Sequence, residues 1–225
     1  MAIRLFVSVG SAYTEKQREF VDSVIEWLKS EGVEPMVLGK TVYPDKQPLK
    51  VIQETMSECD GTLVLAFERI FVSTGEEKRG GMVSTPLKEQ IIPTVWNQIE
   101  TAMAYGLSHP ILVLAEDGAR REGLLEDKFE WLVLPIRVEK ATVETALFKE
   151  TLRKWFARLR DFHEKRVSDK HKLEVGIDPA KMPLVEVLRH LKANQLWACF
   201  VALTVMVSIA FGLGRWLGIA MSVRP

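Results

Sequence analysis

The sequence has few of the features that mark disulfide-bonded, metal-binding or nucleic-acid-binding proteins. Its two cysteines, Cys59 and Cys199, lie beside one apolar run and inside another, so they are poorly placed to pair. Its four histidines are scattered and form no cluster with metal-ligand spacing, so no metal site is predicted. The formal net charge of zero argues against a globally basic nucleic-acid binder.

Glycine-rich phosphate motifs and a signal peptide are also absent. Neither G-x-G-x-x-G nor G-x-x-x-x-G-K-[ST] occurs, which excludes a standard dinucleotide or triphosphate cradle. The first residues, MAIRLFVSVG, hold one arginine and a short β-branched run, without the long apolar region that precedes a signal-peptide cleavage site. We therefore expect a domain in the reducing cytoplasm.

Short apolar runs alternate with segments of helical period. The strand candidates are Ile3–Val9, Glu34–Leu38, Thr62–Phe67, Ile111–Ala115 and Trp131–Val138, and the helix candidates are Glu15–Ser30, Leu49–Met56, Thr94–Tyr105 and Thr142–Arg166. Residues 68–93 read as a long charged connection. Continuously apolar strands are typical of a parallel sheet covered on both faces. The pattern predicts a flavodoxin-like α/β domain over residues 1–166, with about five strands in the order 2-1-3-4-5 and helices on both faces.

The C-terminal part differs in character. Leu196–Leu213 is an uncharged run of 18 residues, nearly long enough to cross a bilayer alone. It predicts a single transmembrane helix within residues 184–225, which begin with an amphipathic lead-in, after a linker over residues 167–183. The net charge of +5 over residues 153–172 favours anionic membrane lipids and a cytoplasmic N-terminal domain. Small residues at every fourth position (Ala210, Gly214, Gly218) predict a homo-oligomer.

Polar residues follow the predicted strands. In such sheets ligands bind beyond the carboxyl ends of the strands, near the switch between the first and third. The candidate binding residues at these ends are Ser8, Gly10, Ser11, Lys40, Glu68, Arg69 and Asp117. Lys40 and Arg69 are candidate phosphate partners.

Glu100 is the most informative residue. On a helix it falls on one face with Trp96, Ile99, Met103 and Ala104, away from a solvated stripe. A carboxylate among apolar neighbours has a raised pKa unless a cation pairs with it. Glu100 is therefore either functional or neutralised, and Arg69 or Lys40 is the candidate neutralising partner.

Two stretches carry a resemblance to known families. Trp96-x-x-x-Glu100 has the spacing of the W-C-x-x-E motif of Toll/interleukin-1 receptor-like (TIR) domains, with Asn97 at the cysteine position, and LFVSVGSAYTEKQREFVDSVIEWLKSEGVEPMVL resembles their first strand and helix. IETAMAYGLSHPILVL is similar to a stretch of nucleoside 2-deoxyribosyltransferases. The resemblance implies that Glu100 acts at the ribosyl anomeric centre, that Trp96 contributes to substrate binding, and that the chain serves in bacterial anti-phage defence.

Two hypotheses follow. The first is a membrane-anchored enzyme, activated by self-assembly, that cleaves the N-glycosidic bond of NAD or a related nucleotide, with NAD as substrate and no cofactor. Cleaving NAD releases neutral nicotinamide, so Glu100 alone could suffice, whereas a nucleoside substrate needs a second carboxyl such as Asp117 or Glu116. The second is a non-catalytic module that binds a nucleotide signal, or assembles with copies of itself, and drives a membrane effector.

Overall fold

The computed structural model describes residues 2–38, 48–176 and 197, and the chain divides into two compact units, Met1–Ser168 and Asp169–Pro225. The strands are β1 (Ile3–Val9), β2 (Val33–Val37), β3 (Thr62–Ala66), β4 (Ile70–Glu77), β5 (Thr85–Ile92), β6 (Ile111–Glu116) and β7 (Leu132–Ile136). The helices are α1 (Glu15–Ser30), α2 (Pro48–Ser57), α3 (Val95–Gly106), α4 (Lys140–Glu144) and α5 (Ala146–Gly176), with a 3₁₀ turn at Gly123–Leu125.

Five strands form one parallel sheet in the order β2-β1-β3-β6-β7. Counted along the chain within this sheet, the order is 2-1-3-4-5, which confirms the predicted flavodoxin-like arrangement. β3 is buried at every position, as a continuously apolar central strand requires. The switch in strand order lies between β1 and β3, because the connection after β2 returns across β1.

The helices cover both faces of the sheet. Leu63 and Leu65 of β3 belong to a core shared with α1, α4 and α5, and Val64 and Ala66 belong to a second core shared with α2 and α3. The alternation follows from the two-residue period of side chains along a strand. Each fully buried leucine contributes roughly 1.5–3 kcal/mol to folding, so the two cores hold the strand ends in fixed positions.

Residues 68–93 are not the irregular connection that the sequence predicts. They form an antiparallel hairpin, β4–β5, outside the main sheet. The turn between the strands places Lys78 and Gly80 at positive φ, and Arg120 Nη2 contacts Glu77 Oε1 at 2.8 Å, which ties the end of β4 to the loop after β6. Most hairpin residues are exposed, so the sequence here lacks the alternating apolar pattern of a half-buried strand.

The last predicted helix also differs from the observed one. It is divided at Thr145 into α4 and α5, and α5 continues to Gly176, ten residues past its predicted end. Within residues 2–38 and 48–176, no helix combines the length and apolar character needed to span a bilayer. The predicted span Leu196–Leu213 lies outside the described residues except for Trp197, as do the small-residue stripe and residues 177–183 of the predicted linker.

Candidate functional site

The start of helix α3 lies against the carboxyl end of strand β1. Thr94 caps α3, accepting a hydrogen bond from the Trp96 N–H. A Cβ atom at Gly10, just after β1, would lie 3.2 Å from Thr94 Cγ2, so a glycine here permits the close approach. Ser8 of β1 pairs in register with Val64 of β3. The approach thus brings α3 to the switch between the first and third strands of the sheet.

Glu100 is a buried carboxylate on α3. Its residue surface is 6% exposed, and burial raises its pKa to about 7, while a side-chain hydrogen bond from Ser8 acts in the opposite direction. The carboxyl oxygen Oε2 is buried and has no hydrogen-bond partner among the described residues. Among the described residues no cation pairs with Glu100: Arg69 is exposed, and Lys40 lies outside the described residues. The alternative in which Arg69 neutralises Glu100 is therefore wrong.

Helix α3 buries part of the predicted face, with Glu100 and Ala104 buried as predicted. The predicted face contained Trp96 and Ile99, but these side chains are 42% and 36% exposed. The observed buried residues are Asn97, Glu100, Thr101 and Ala104. Glu100 is thus buried among polar neighbours at the sheet edge. The polar residues on this face of α3 are buried because they form hydrogen bonds to the strand ends and within α3.

Asn97 and Ser8 form a buried polar contact beside Glu100. Asn97 Nδ2 donates to Ser8 Oγ at 2.9 Å and lies 3.4 Å from the carbonyl oxygen of Leu65, at the end of β3. Thr101 Oγ1 donates to the Asn97 carbonyl at 2.6 Å. Ser8 and Asn97 are each 1% exposed. Two strands and one helix therefore hold the polar groups next to the carboxylate.

The loop after β1 is fixed to the loop after β3. Tyr13 donates its hydroxyl to Glu68 Oε1 at 2.6 Å, and Gln17 Nε2 donates to the Glu68 carbonyl at 3.1 Å. The hydrogen bond to Glu68 is the largest cause that raises the pKa of Tyr13 to about 12, so this phenol stays a donor. Glu116 Oε2 accepts from the Glu68 N–H at 2.6 Å. These bonds join three strand ends into one rim.

The structure brings the predicted site residues together only in part. Ser8 accepts a hydrogen bond from Asn97, one helical turn before Glu100, and Glu68 belongs to the rim. Gly10 and Ser11 line a neighbouring cavity of about 290 Å³ with Val37 and Leu38, and Glu100 is not among the residues that line it. Arg69, Trp96 and Asp117 are exposed side chains around this edge, and Lys40 lies outside the described residues.

Three residues at this edge were not predicted to have a role in the site: Tyr13, Gln17 and Asn97. Thr14 and Gln17 form a capping box at the start of α1, and a Thr-x-x-Gln spacing is a sequence signal for that motif. Asn97 lies one helical turn before Glu100, a spacing that indicates a shared face. No group of three or more His, Cys, Asp or Glu residues able to hold a metal is found in the described ranges.

Comparisons with known proteins give distant structural likenesses. No family model and no curated protein matches the chain. A CMP N-glycosidase from Clostridium botulinum is 14% identical, over 63% of this chain and 94% of its own, with a TM-score of 0.40. A conserved protein from Enterococcus faecalis is 13% identical over 64% and 96%, with a TM-score of 0.36. The TIR domains of the activated Roq1 resistosome are 11% identical over 72% and 83%, with a TM-score of 0.35. The functional proposal therefore rests on the chain's own residues.

Proposed function

We propose that the α/β domain cleaves the N-glycosidic bond of NAD or a related nucleotide, with Glu100 as its catalytic carboxylate. The observation that carries the proposal is a buried carboxyl group at the edge where parallel sheets bind their ligands, with no ion pair and one unpartnered oxygen among the described residues. A buried carboxylate without compensation costs stability, so its presence beside a ligand-binding edge favours a chemical role. The resemblance to TIR domains and deoxyribosyltransferases around Glu100 supports the same chemistry.

The proposed reaction uses the ionised form of Glu100. When the bond between the ribosyl C1′ and the nicotinamide nitrogen breaks, the electron pair goes to the nitrogen and positive charge develops on the sugar. A carboxylate held against that charge stabilises the transition state. Water then attacks C1′ and loses a proton to solvent, giving the free ribosyl hydroxyl. The cationic nicotinamide ring of bound NAD also favours the ionised carboxylate and lowers its pKa.

Nucleosides and nucleotides with a neutral base need a second group, because the departing base must be protonated. Glu116 already accepts a hydrogen bond from the backbone of Glu68, whereas Asp117 is exposed beside it. Asp117 is therefore the candidate general acid for such substrates. NAD, which needs no acid, remains the first substrate to test.

The test compares Glu100→Gln and Glu100→Ala with Glu19→Gln, a matched change on the exposed side of α1. Each full-length protein is incubated with NAD, and mass spectrometry follows nicotinamide and the ribosyl product. We expect both Glu100 variants to lose roughly 10³-fold or more in turnover and Glu19→Gln to lose none. In the wild type, kcat/KM should rise with pH through about 7 as Glu100 ionises. Turnover that survives both Glu100 substitutions contradicts the proposal.

The burial of Glu100 also favours a second candidate function. With only 6% of its surface exposed, the residue is closer to a core group than to an open catalytic one. In this alternative the same edge binds a nucleotide signal without cleaving it, and the domain relays the signal by assembling with copies of itself. Calorimetry distinguishes the two: stoichiometric nucleotide binding with no product after prolonged incubation supports the receptor.

Anchoring, assembly and a defence role complete the proposal and depend on the sequence. Leu196–Leu213 supplies the proposed span, the net charge of +5 over residues 153–172 supports a cytoplasmic domain, and the small-residue stripe supports a homo-oligomer. Truncation after Val175 tests the anchor, since a truncated chain that still sediments with membranes contradicts it. Protection of bacteria against phage, lost in Glu100→Gln, tests the defence role implied by the resemblance.

A further inference from the structure

A cavity of about 540 Å³ opens at the amino end of the sheet, and Glu100 is not among the residues that line it. It lies between the last turn of α3, the turn that leads into β6, the residues just before β7, and helix α5. Ligand pockets in proteins have volumes of about 300–1,000 Å³, so this cavity is large enough for a small organic molecule. The proposed reaction does not use it.

Aromatic rings form one wall of the cavity. Trp131 is buried, its ring stacks on Phe129 with centroids 4.6 Å apart, and its Nε1 donates to the Leu124 carbonyl at 3.2 Å. Tyr105 packs against the Trp131 ring at 5.8 Å and an interplanar angle of 60°, and is itself 58% exposed. The buried tryptophan therefore supports an exposed aromatic ring, which is a surface on which a planar ligand can stack.

The charged groups of the cavity balance each other. Arg158 of α5 and Glu130 both line it, and among the described residues neither forms an ion pair. Burial lowers the pKa of His109, a third lining residue, to about 4, so its imidazole is neutral near pH 7. A phosphate group would be attracted by Arg158 and repelled by Glu130. The cavity therefore favours a neutral ligand with both donors and acceptors over an anion.

Ser108, which also lines the cavity, has a strained backbone. Its φ of 58° lies in the left-handed region, where the residue that follows a helix is usually glycine. The N–H groups of Ser108 and His109 donate to the carbonyls of Tyr105 and Ala104 at 2.9 and 3.0 Å, and a glycine would close the helix with the same bonds. The serine side chain thus costs stability without serving the helix, and strain kept beside a cavity is typical of a functional position.

We propose that this cavity binds a neutral, planar heteroaromatic molecule with an amide or amino edge, the chemistry shared by nucleobases, nucleosides and nicotinamide. Tyr105 supplies the stacking surface, Arg158 and Ser108 supply donors, and Glu130 supplies an acceptor. The inference goes beyond the proposed function and does not depend on it, because the cavity and Glu100 lie at opposite ends of the sheet.

Fluorine NMR of the full-length protein labelled with 3-fluorotyrosine tests the site directly. The chain has three tyrosines, of which Tyr105 lines the cavity and Tyr13 bonds to Glu68 at the carboxyl end, so each end of the sheet has its own reporter. Tyr105→Phe and Tyr13→Phe assign the signals. The probes are nicotinamide, adenosine and adenosine monophosphate. We expect nicotinamide or adenosine to shift the Tyr105 signal saturably, with a Kd below about 1 mM, and the monophosphate to bind no more tightly than adenosine.

Substitutions in the cavity separate binding from folding. Ser108→Gly removes the hydroxyl and the strain, so we expect a higher urea midpoint together with binding about 3- to 10-fold weaker. At Gly106 a Cβ atom would meet nothing within 4 Å, so Gly106→Leu has room to fill the cavity and should weaken binding at least about tenfold. Arg158→Gln should weaken binding about tenfold. Arg160→Gln, on the same helix but not lining the cavity, should leave it unchanged.

Several results would overturn the proposal. One is the absence of a saturable Tyr105 shift with either neutral probe up to roughly 10 mM, and another is a shift confined to Tyr13, which places binding at the other end of the sheet. Tighter binding of the monophosphate by tenfold contradicts a neutral ligand, and undiminished binding in Ser108→Gly and Gly106→Leu contradicts the site. Which neutral probe binds decides between a free base and a nucleoside. The test needs no turnover, so a wild type that leaves NAD intact overturns the proposed function without affecting this one.

Discussion

A carboxylate is buried at each end of the central sheet, and the two carboxylates differ in whether a cation compensates their charge. At the amino end Asp60 is 0% exposed, with Oδ1 2.7 Å from Arg166 Nη2 and 3.0 Å from His163 Nδ1. Its other oxygen accepts the Arg4 N–H at 2.9 Å. At the carboxyl end Glu100 has no cation beside it among the described residues.

The contrast is between a carboxylate whose charge a cation compensates and one with no cation beside it among the described residues. Asp60 links β1, β3 and α5, and a guanidinium compensates its charge, so the group serves the fold. Glu100 has no compensating cation among the described residues, and burial raises its pKa, so its ionised form is less stable in the folded protein. Removing the charge of the buried carboxylate should therefore destabilise the protein at the amino end and stabilise it at the carboxyl end.

The largest effect is expected at the amino end. Asp60→Asn removes the negative charge and leaves the partly buried guanidinium of Arg166 unpaired. We expect a loss of roughly 3–5 kcal/mol in the free energy of unfolding, measured by urea denaturation at pH 7. Arg166→Gln should cost a similar amount, because it leaves Asp60 uncompensated instead. If both variants are as stable as the wild type, the amino end is not the structural site that the comparison assigns.

At the carboxyl end, removing the charge of the carboxylate should increase the free energy of unfolding. The pKa of Glu100 is about 7 in the folded protein and near 4.5 when unfolded, so the folded state holds its proton more tightly and stability falls as the pH rises through this range. Glu100→Gln removes this penalty and should stabilise the protein by up to about 3 kcal/mol at pH 8, but by less than about 1 kcal/mol at pH 5. Glu19→Gln, measured alongside, should change nothing. A Glu100→Gln protein that is less stable at pH 8 would mean that the carboxylate is compensated after all.

A third substitution, at His109, tests how acid lowers the stability of the amino end. His109, at the amino end, is 8% exposed, with Nδ1 3.0 Å from Thr62 Oγ1. Burial first and Arg166 second lower its pKa to about 4, while Asp60 acts in the opposite direction. The unfolded state therefore takes up the proton first, and stability is lost as the pH falls below about 6.5.

His109→Gln should abolish this loss, which we expect to be roughly 2 kcal/mol at pH 5. The measurement is the change in unfolding free energy between pH 7 and pH 5, so any constant cost of losing the bond to Thr62 cancels. Because Glu100 contributes the opposite slope over part of this range, the comparison includes His109→Gln in the Glu100→Gln background. An unchanged slope there contradicts the prediction.

Much of the fold could be predicted from the sequence, but little of the site's fine structure. Continuous apolar runs such as Thr62–Phe67 identified the strands of the parallel sheet, because burial on both faces leaves a direct record in composition. The strand order was predicted from the fold class that such alternation favours, and not from the runs themselves. The hairpin of residues 70–92 contains no such apolar run, because most of its side chains are exposed. Apolar periodicity placed Glu100 correctly on the buried face of α3 but also placed the exposed Trp96 and Ile99 there. Asn97 and Thr101 are buried because they bond to specific partners, and hydropathy does not contain that information.

The smallest expected effect comes from one glycine at each end. A Cβ at Gly61, at the amino end, would collide with the Leu159 side chain and lie 2.9 Å from the Pro110 carbonyl oxygen, which is backbone and cannot move aside. At Gly10, the nearest atom would be the Thr94 methyl at 3.2 Å, which has to give by a few tenths of an ångström. Alanine also restricts the unfolded chain, a gain of about 0.4–1 kcal/mol. We therefore expect Gly10→Ala to be nearly neutral and Gly61→Ala to be less stable by at least about 1 kcal/mol in urea denaturation. Equal losses would show that α3 is packed against β1 as rigidly as α5 is against β3, which would leave the carboxyl end no freedom to admit a ligand to Glu100.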